Sequence, residues 1–213
     1  MIKAAIFDLC GVTFKDGRIN AAQKISSIYG TPISEILQVF GTNSKLVKEY
    51  RKGNISMDEF WNESKKLLKI EGDNKELNKI WVECYHAEEG TIDILKQLKK
   101  DGIKLSFLSD NVPERVAHIK TSHNLYEYFI DGIFSFETHS IKSEGTGMFE
   151  MALEKTGMLP EEVLYIDDNE KYVETAKIIG MHGIHFKNPE QLSNELVKLG
   201  VLKKTVPPEI ARS

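Results

Sequence analysis

Cysteine is scarce in this chain: two residues of 213, Cys10 and Cys84. That scarcity argues against a disulfide framework and makes a reducing, cytoplasmic setting the expectation. An excess of basic charge is also missing. Lys and Arg total 28 against 32 Asp and Glu, a net charge of −4, so the footprint of a nucleic-acid partner is lacking. No apolar run comes near the length needed to span a bilayer, and no membrane partner is expected. The amino-terminal apolar run is short and is interrupted by Asp8, which does not match a signal peptide. Internal repeats and low-complexity segments are absent as well. These absences say nothing of oligomeric state.

What is present is an ordinary globular composition, 41% hydrophobic and 28% charged. The length fits one domain, or one domain carrying an insertion. Residues 2 to 7 read as a buried strand. From about 19 to 86 the pattern is helical. Ile25, Ile28, Ile36, Leu37 and Phe40 recur at helical spacing, as do Phe60, Trp61, Leu67 and Leu68. Ser56-Met57-Asp58-Glu59 reads as a capping box leading into Phe60.

Beyond residue 87 strands and helices alternate. Strands are expected at Ile103 to Leu108, Ile133 to Phe136, Val163 to Ile166 and Gly183 to Phe186. Helices are expected at Thr91 to Lys100, from Pro113, at Met148 to Thr156, up to Ile179, and at Glu190 to Leu199. This rhythm implies an α/β fold with a doubly wound, Rossmann-like parallel sheet. The expected organisation is a core of residues 1–15 and 88–202, an inserted helical cap of 16–87, and a loose tail of 203–213.

Four strand ends deliver polar residues. The first brings Asp8 and Cys10, the second Ser109, Asp110 and Asn111. Lys142 follows the short strand ending at Phe136, and the next strand brings Asp167 and Asp168. In a parallel sheet these ends share one edge, so groups distant in sequence can converge. A carboxylate such as Asp8 can attack phosphorus and form an acyl phosphate. Mg²⁺ prefers carboxylates and phosphate oxygens, which Asp8 with Asp167 or Asp168 would supply. A hydroxyl such as Ser109 and an ammonium such as Lys142 would hold the other phosphate oxygens. The blander reading is that Ser109, Asp167 and Asp168 cap the helices that follow them.

Taken in order, these segments resemble the haloacid-dehalogenase-like superfamily over essentially the whole chain. The matching motifs are Phe7-Asp8-Leu9-Cys10-Gly11-Val12, Leu108-Ser109-Asp110-Asn111, Lys142, and Tyr165-Ile166-Asp167-Asp168-Asn169. The helical insertion is similar to the family's C1-type cap. Gly53-Asn54-Ile55-Ser56 to Glu59-Phe60 resembles members near the epoxide-hydrolase amino-terminal phosphatases and the sugar-phosphate phosphatases. The resemblance implies that Asp8 is nucleophile and Mg²⁺ ligand, and that position 10 lends its backbone carbonyl to the metal. It implies phosphate binding by Ser109 and Lys142, in a substrate site completed by Asp110 and Asn111. Asp168 aligns with the usual metal carboxylate, with Asp167 beside it.

The chain departs from that pattern at Cys10, where phosphatases carry the acid/base aspartate. Ser143 stands where Pro is usual, and Tyr172 where Asn or Asp is common. A thiol among carboxylates is a poor proton shuttle at neutral pH. Loss of a positioned acid/base costs about 10²–10⁴-fold in rate. The expected function is therefore Mg²⁺-dependent hydrolysis of a small phosphorylated metabolite, attenuated at position 10. The alternatives are a metal-independent 2-haloacid dehalogenase, and a non-catalytic phospholigand-binding regulatory protein.

Overall fold

The computed structural model describes residues 1–203; the expected tail, from residue 204 on, lies outside the described residues. At the centre is a five-stranded sheet in the order β3-β2-β1-β4-β5. Its strands are β1 (Ala4–Phe7), β2 (Lys104–Ser109), β3 (Asp131–Phe134), β4 (Val163–Asp167) and β5 (His182–His185). Every pairing is parallel. β1 is central because it is apolar on both faces. Ala5 and Phe7 pack into one layer, Ala4 and Ile6 into the other, the period-2 alternation of a strand buried on both sides.

Eleven α-helices occur among the described residues. Six precede the second strand, and the first five form the helical block: α1 (Arg18–Tyr29), α2 (Ile33–Val39), α3 (Lys45–Arg51), α4 (Met57–Leu68) and α5 (Asn74–Val82). The others are α6 (Glu89–Lys100), α7 (Pro113–His123), α8 (Ser135–Thr138), α9 (Gly147–Thr156), α10 (Glu170–Ile178) and α11 (Pro189–Lys198). Side chains of α9 and α10 cover one sheet face, those of α6, α7 and α11 the other. None is long and apolar enough to cross a membrane.

The helical block has its own apolar centre. Phe40 meets the Trp61, Trp81 and Phe60 rings at centroid distances of 5.4, 4.4 and 5.9 Å. Trp61 donates its indole N–H to Asn78 at 3.2 Å, the kind of partner a buried indole needs. Ser56 caps α4 through a reciprocal bond with Glu59, as the capping-box sequence implies. Two residues of the apolar stripes face solvent instead: Ile28 and Leu67 are exposed. The inward set of α1 is Ala21, Ala22 and Ile25, and that of α4 is Phe60, Trp61, Ser64 and Leu68. Ile28 and Leu67 lie on the shoulder of those arcs.

One strand differs from its expected bounds by two residues. β3 covers Asp131–Phe134, not Ile133 to Phe136. It ends where its partner ends, with Phe134 opposite Ser109. Ser135 then opens α8, and its hydroxyl accepts the backbone N–H of Asn111 at 3.0 Å. A side-chain bond has replaced the next rung of the ladder.

Phe40→Ala should cost about 3–5 kcal/mol, the range for emptying a buried aromatic site. Chemical denaturation would measure it, and a loss below 1 kcal/mol would mean the helical block does not depend on this ring.

Candidate active site

The chain leaves β1, travels to β2 and β3 on one side, and crosses back to β4 and β5 on the other. The reversal lies between β1 and β4, the place where such sheets open a crevice beyond their carboxyl ends. Asp8 follows β1 and Asp167 ends β4. The Asp8 backbone N–H donates to the Ile166 carbonyl at 2.8 Å, which locks the two ends in register. Thr13 adds a bond from its hydroxyl to the Asp8 carbonyl at 2.9 Å.

A cavity of about 380 Å³ opens above these ends. Asp8, Cys10, Asp110, Lys142, Asp167 and Asp168 line it, joined by Tyr172, Asn169, Glu170 and His185. The helical block and its connections contribute Asp16, Arg18, Thr42, Arg51 and Tyr85. Ser109 and Asn111 are not among these walls. Both are fully buried beneath it, with the Asn111 amide donating to Ser109 Oγ at 3.4 Å and to Cys10 Sγ at 3.7 Å. Ser109 is the last residue of β2 and is drawn into the sheet. Asp110, one residue further on, reaches the cavity and accepts the Lys142 backbone N–H at 3.0 Å.

Lys142 is the centre of the arrangement. Its ammonium donates to Asp8 Oδ1 at 2.9 Å and to Asp167 Oδ2 at 2.7 Å, and all three side chains are buried. The Tyr172 ring lies beneath the charge, 4.9 Å from Nζ. The residue that departs from the family pattern is therefore a cation–π support for the lysine. Asp167 is engaged on both oxygens. Oδ2 also takes the Tyr165 hydroxyl and Oδ1 takes the Asn169 N–H at 2.8 Å. The Asp168 carboxylate has no hydrogen-bond partner among the described residues, and His185 holds its backbone carbonyl at 3.1 Å.

Carboxylate oxygens of Asp8, Asp167 and Asp168 lie within 4.8 Å of one another. One lysine cannot neutralise three acids. Burial, and then repulsion from Asp167 and Asp168, push Asp8 up to about 8 against the pull of Lys142. Asp168 is raised for the same reasons, burial first. Hard oxygen donors with surplus negative charge fit a divalent cation such as Mg²⁺. The local backbone leaves room for it: Gly11 has φ +107°, and a Cβ there would stand 2.4 Å from Asp168 Oδ2. Burial pushes the Cys10 thiol up to about 11, only partly opposed by Arg115 and Arg51.

Several wall residues carry no sequence signal of their own. Tyr85, Thr42 and Asp16 have no motif, and Arg18 and Arg51 cannot be told from surface charge by sequence. Arg115, on α7, is 1% exposed and stacks on Tyr85 at 4.1 Å and Trp81 at 5.2 Å. Only tertiary placement distinguishes it from an ordinary helix-surface arginine.

A raised carboxylate pKa favours the protonated, folded form. The contribution of Asp8 is full below pH 4 and is lost as pH rises toward 8. Without divalent cation, Asp8→Asn should be more stable than the parent at pH 8.5 by about 1–3 kcal/mol, with the gap closing near pH 5. Thermal melts in chelator across that range test the sign; a variant less stable at pH 8.5 would refute it. Gly11→Ala should weaken Mg²⁺ binding at least about tenfold in calorimetry, since the methyl group must displace Asp168.

Comparison with known proteins identifies the family. Residues 2–180 match the sequence model of the haloacid dehalogenase-like hydrolases. A sesquiterpene phosphatase of Aspergillus oryzae is 24% identical over 199 residues, covering 92% of this chain and 96% of the relative. A phosphorylated carbohydrates phosphatase of Thermotoga maritima is 24% identical, with 86% and 84% covered. Among solved structures, a family enzyme of Bacteroides thetaiotaomicron, an Asp-to-Ala mutant in complex with magnesium and inorganic phosphate, superposes with a TM-score of 0.77. It is 21% identical, with 92% of this chain and 99% of that one covered. With a family match over most of its length and a fold shared with a solved family enzyme, the chain belongs to the haloacid dehalogenase-like hydrolases.

Proposed function

We propose that this hydrolase is a Mg²⁺-dependent phosphatase that acts on a small hydrophilic phosphate ester through an aspartyl-phosphate on Asp8. The observation that carries the reading is the three-carboxylate cluster bridged by the buried Lys142 ammonium. Asp8 Oδ1 is held by Lys142, which leaves Oδ2 to attack phosphorus. Asp8, Asp168 and the Cys10 backbone carbonyl would hold the cation. The fully bonded Asp167 would act by fixing Lys142 and the Asn169 turn. When bound, Mg²⁺ would supply positive charge at the phosphoryl oxygens. Lys142 would hold a further phosphoryl oxygen, and the residues 16–87 would act as a cap that limits water at the site.

In the first step the Asp8 oxygen forms a bond to phosphorus, and the bond to the leaving oxygen breaks with its electron pair. Cys10 is ill suited to protonate that oxygen, because its thiol is held far above neutral pH by burial. The leaving group therefore departs as an anion or takes a proton from water. In the second step water attacks phosphorus, releasing phosphate and restoring the Asp8 carboxylate. Both steps run without a positioned acid/base, which favours esters with acidic leaving groups.

The walls guide the choice of substrate. None of the residues lining the cavity has an aliphatic side chain. That composition suits a polar ester, as in the carbohydrate phosphatase relative, better than a terpenoid. The clustered carboxylates also favour cation-assisted chemistry over a metal-free dehalogenase. Two free cysteines are compatible with a cytoplasmic setting.

The test is hydrolysis of p-nitrophenyl phosphate with and without Mg²⁺. The parent should turn over only with the cation, Asp8→Asn should fall at least about 10³-fold, and Cys10→Asp should rise about tenfold or more. No turnover of this activated ester with Mg²⁺ would sink the phosphatase reading.

A further inference from the structure

The cationic groups at the cavity divide into paired and unpaired. Lys142 is held by two carboxylates. Arg18 is gripped by Asp16 in a forked pair, with Nε at 2.8 Å and Nη2 at 2.6 Å from Oδ2. Arg51 is different. It lines the cavity, and its guanidinium has no ion pair or hydrogen bond among the described residues.

Behind the same wall stands Arg115. It is 1% exposed, yet its Nε and Nη2 have no partner. Among the described residues, the one hydrogen bond of its side chain runs from Nη1 to Asn111 Oδ1 at 3.3 Å. Two aromatic faces offset part of the cost of burying that charge. No carboxylate among the described residues pairs with it, and its stacking partner Tyr85 lines the cavity. The cavity thus has an acidic end at the sheet and a cationic side toward the helices.

The backbone at Arg51 is held firmly. The Ser135 hydroxyl donates to its backbone carbonyl at 2.6 Å. The neighbouring Tyr50 hydroxyl donates to Glu114 at 2.5 Å. Lys52 pairs with Glu144, in the turn that carries Lys142. These contacts fix the backbone that carries Arg51 at the cavity wall, so only its side-chain torsions must be ordered on binding.

We propose that Arg51, backed by the field of Arg115, is a second anion-recognition point, and that the site takes phosphorylated carboxylic acids. A carboxylate matches the guanidinium fork. A second phosphate would bring a further dianion toward six wall carboxylates, Asp8, Asp16, Asp110, Asp167, Asp168 and Glu170. The proposal rests on the reading of the acidic end as the phosphate-binding end.

Two matched measurements separate the ideas. Calorimetry with Mg²⁺ would compare 4-carboxybenzylphosphonate with 4-carbamoylbenzylphosphonate, near-isosteric ligands that cannot be hydrolysed. The carboxylate should bind about tenfold tighter or more. Arg51→Gln should shrink that ratio to within about twofold, and Arg51→Lys should keep part of it. Turnover of the corresponding aryl phosphates reports separately on the phosphatase reading. Carboxylate preference without turnover would support this inference and overturn the phosphatase. Turnover with equal affinities would do the reverse. A preference that survives in Arg51→Gln would remove Arg51 from the recognition, and binding of neither phosphonate would overturn both ideas.

Discussion

One buried ammonium makes this site possible. Lys142 lies between Asp8 and Asp167, within 3 Å of each, and all three are withdrawn from water. A buried charge is tolerated only when it is paired and hydrogen-bonded. Much of the surrounding structure serves that requirement. Tyr165 and Asn169 saturate Asp167. Asp110 holds the lysine backbone, and Tyr172 supports the ammonium from below.

The pairing is incomplete by charge count, and the deficit has a use. Three acids against one lysine leave Asp8 and Asp168 destabilised as anions. A divalent cation would relieve that repulsion, which is the electrostatic ground for the proposed Mg²⁺ site. The topology makes the cluster possible. β1 and β4 are adjacent and parallel, so two acids 159 positions apart in sequence, Asp8 and Asp167, arrive at one edge.

The helical block is coupled to the same centre through few atoms. Ser135 takes the Asn111 N–H from the β2 loop and gives its own proton to the Arg51 carbonyl. Glu144, two residues beyond Lys142, pairs with Lys52. The Ser143-Glu144 turn, which lacks the family's usual proline, thereby links the lysine loop to α3. Any displacement of α3 is felt directly at the loops that hold Asn111 and Lys142.

Local sequence determined the elements and the acidic centre. Strand alternation at Ala4–Phe7, the Ser56 box and the four polar strand ends depend on neighbours a few residues apart, and such patterns are written in the chain itself. The end of β3 was not, because Ser135 leaves the ladder to serve Asn111, a residue 24 positions away. Ile28 and Leu67 show the same limit: periodicity names a face but not its width. Tertiary structure alone decided the rest of the site. It drew Ser109 beneath the cavity and brought Asp110 to it. It buried Arg115 between Tyr85 and Trp81, and left Arg51 unpaired among the walls. A motif records which chemical groups are available. Burial and pairing arise only when distant segments meet, and those two quantities set the charge and the reach of each group.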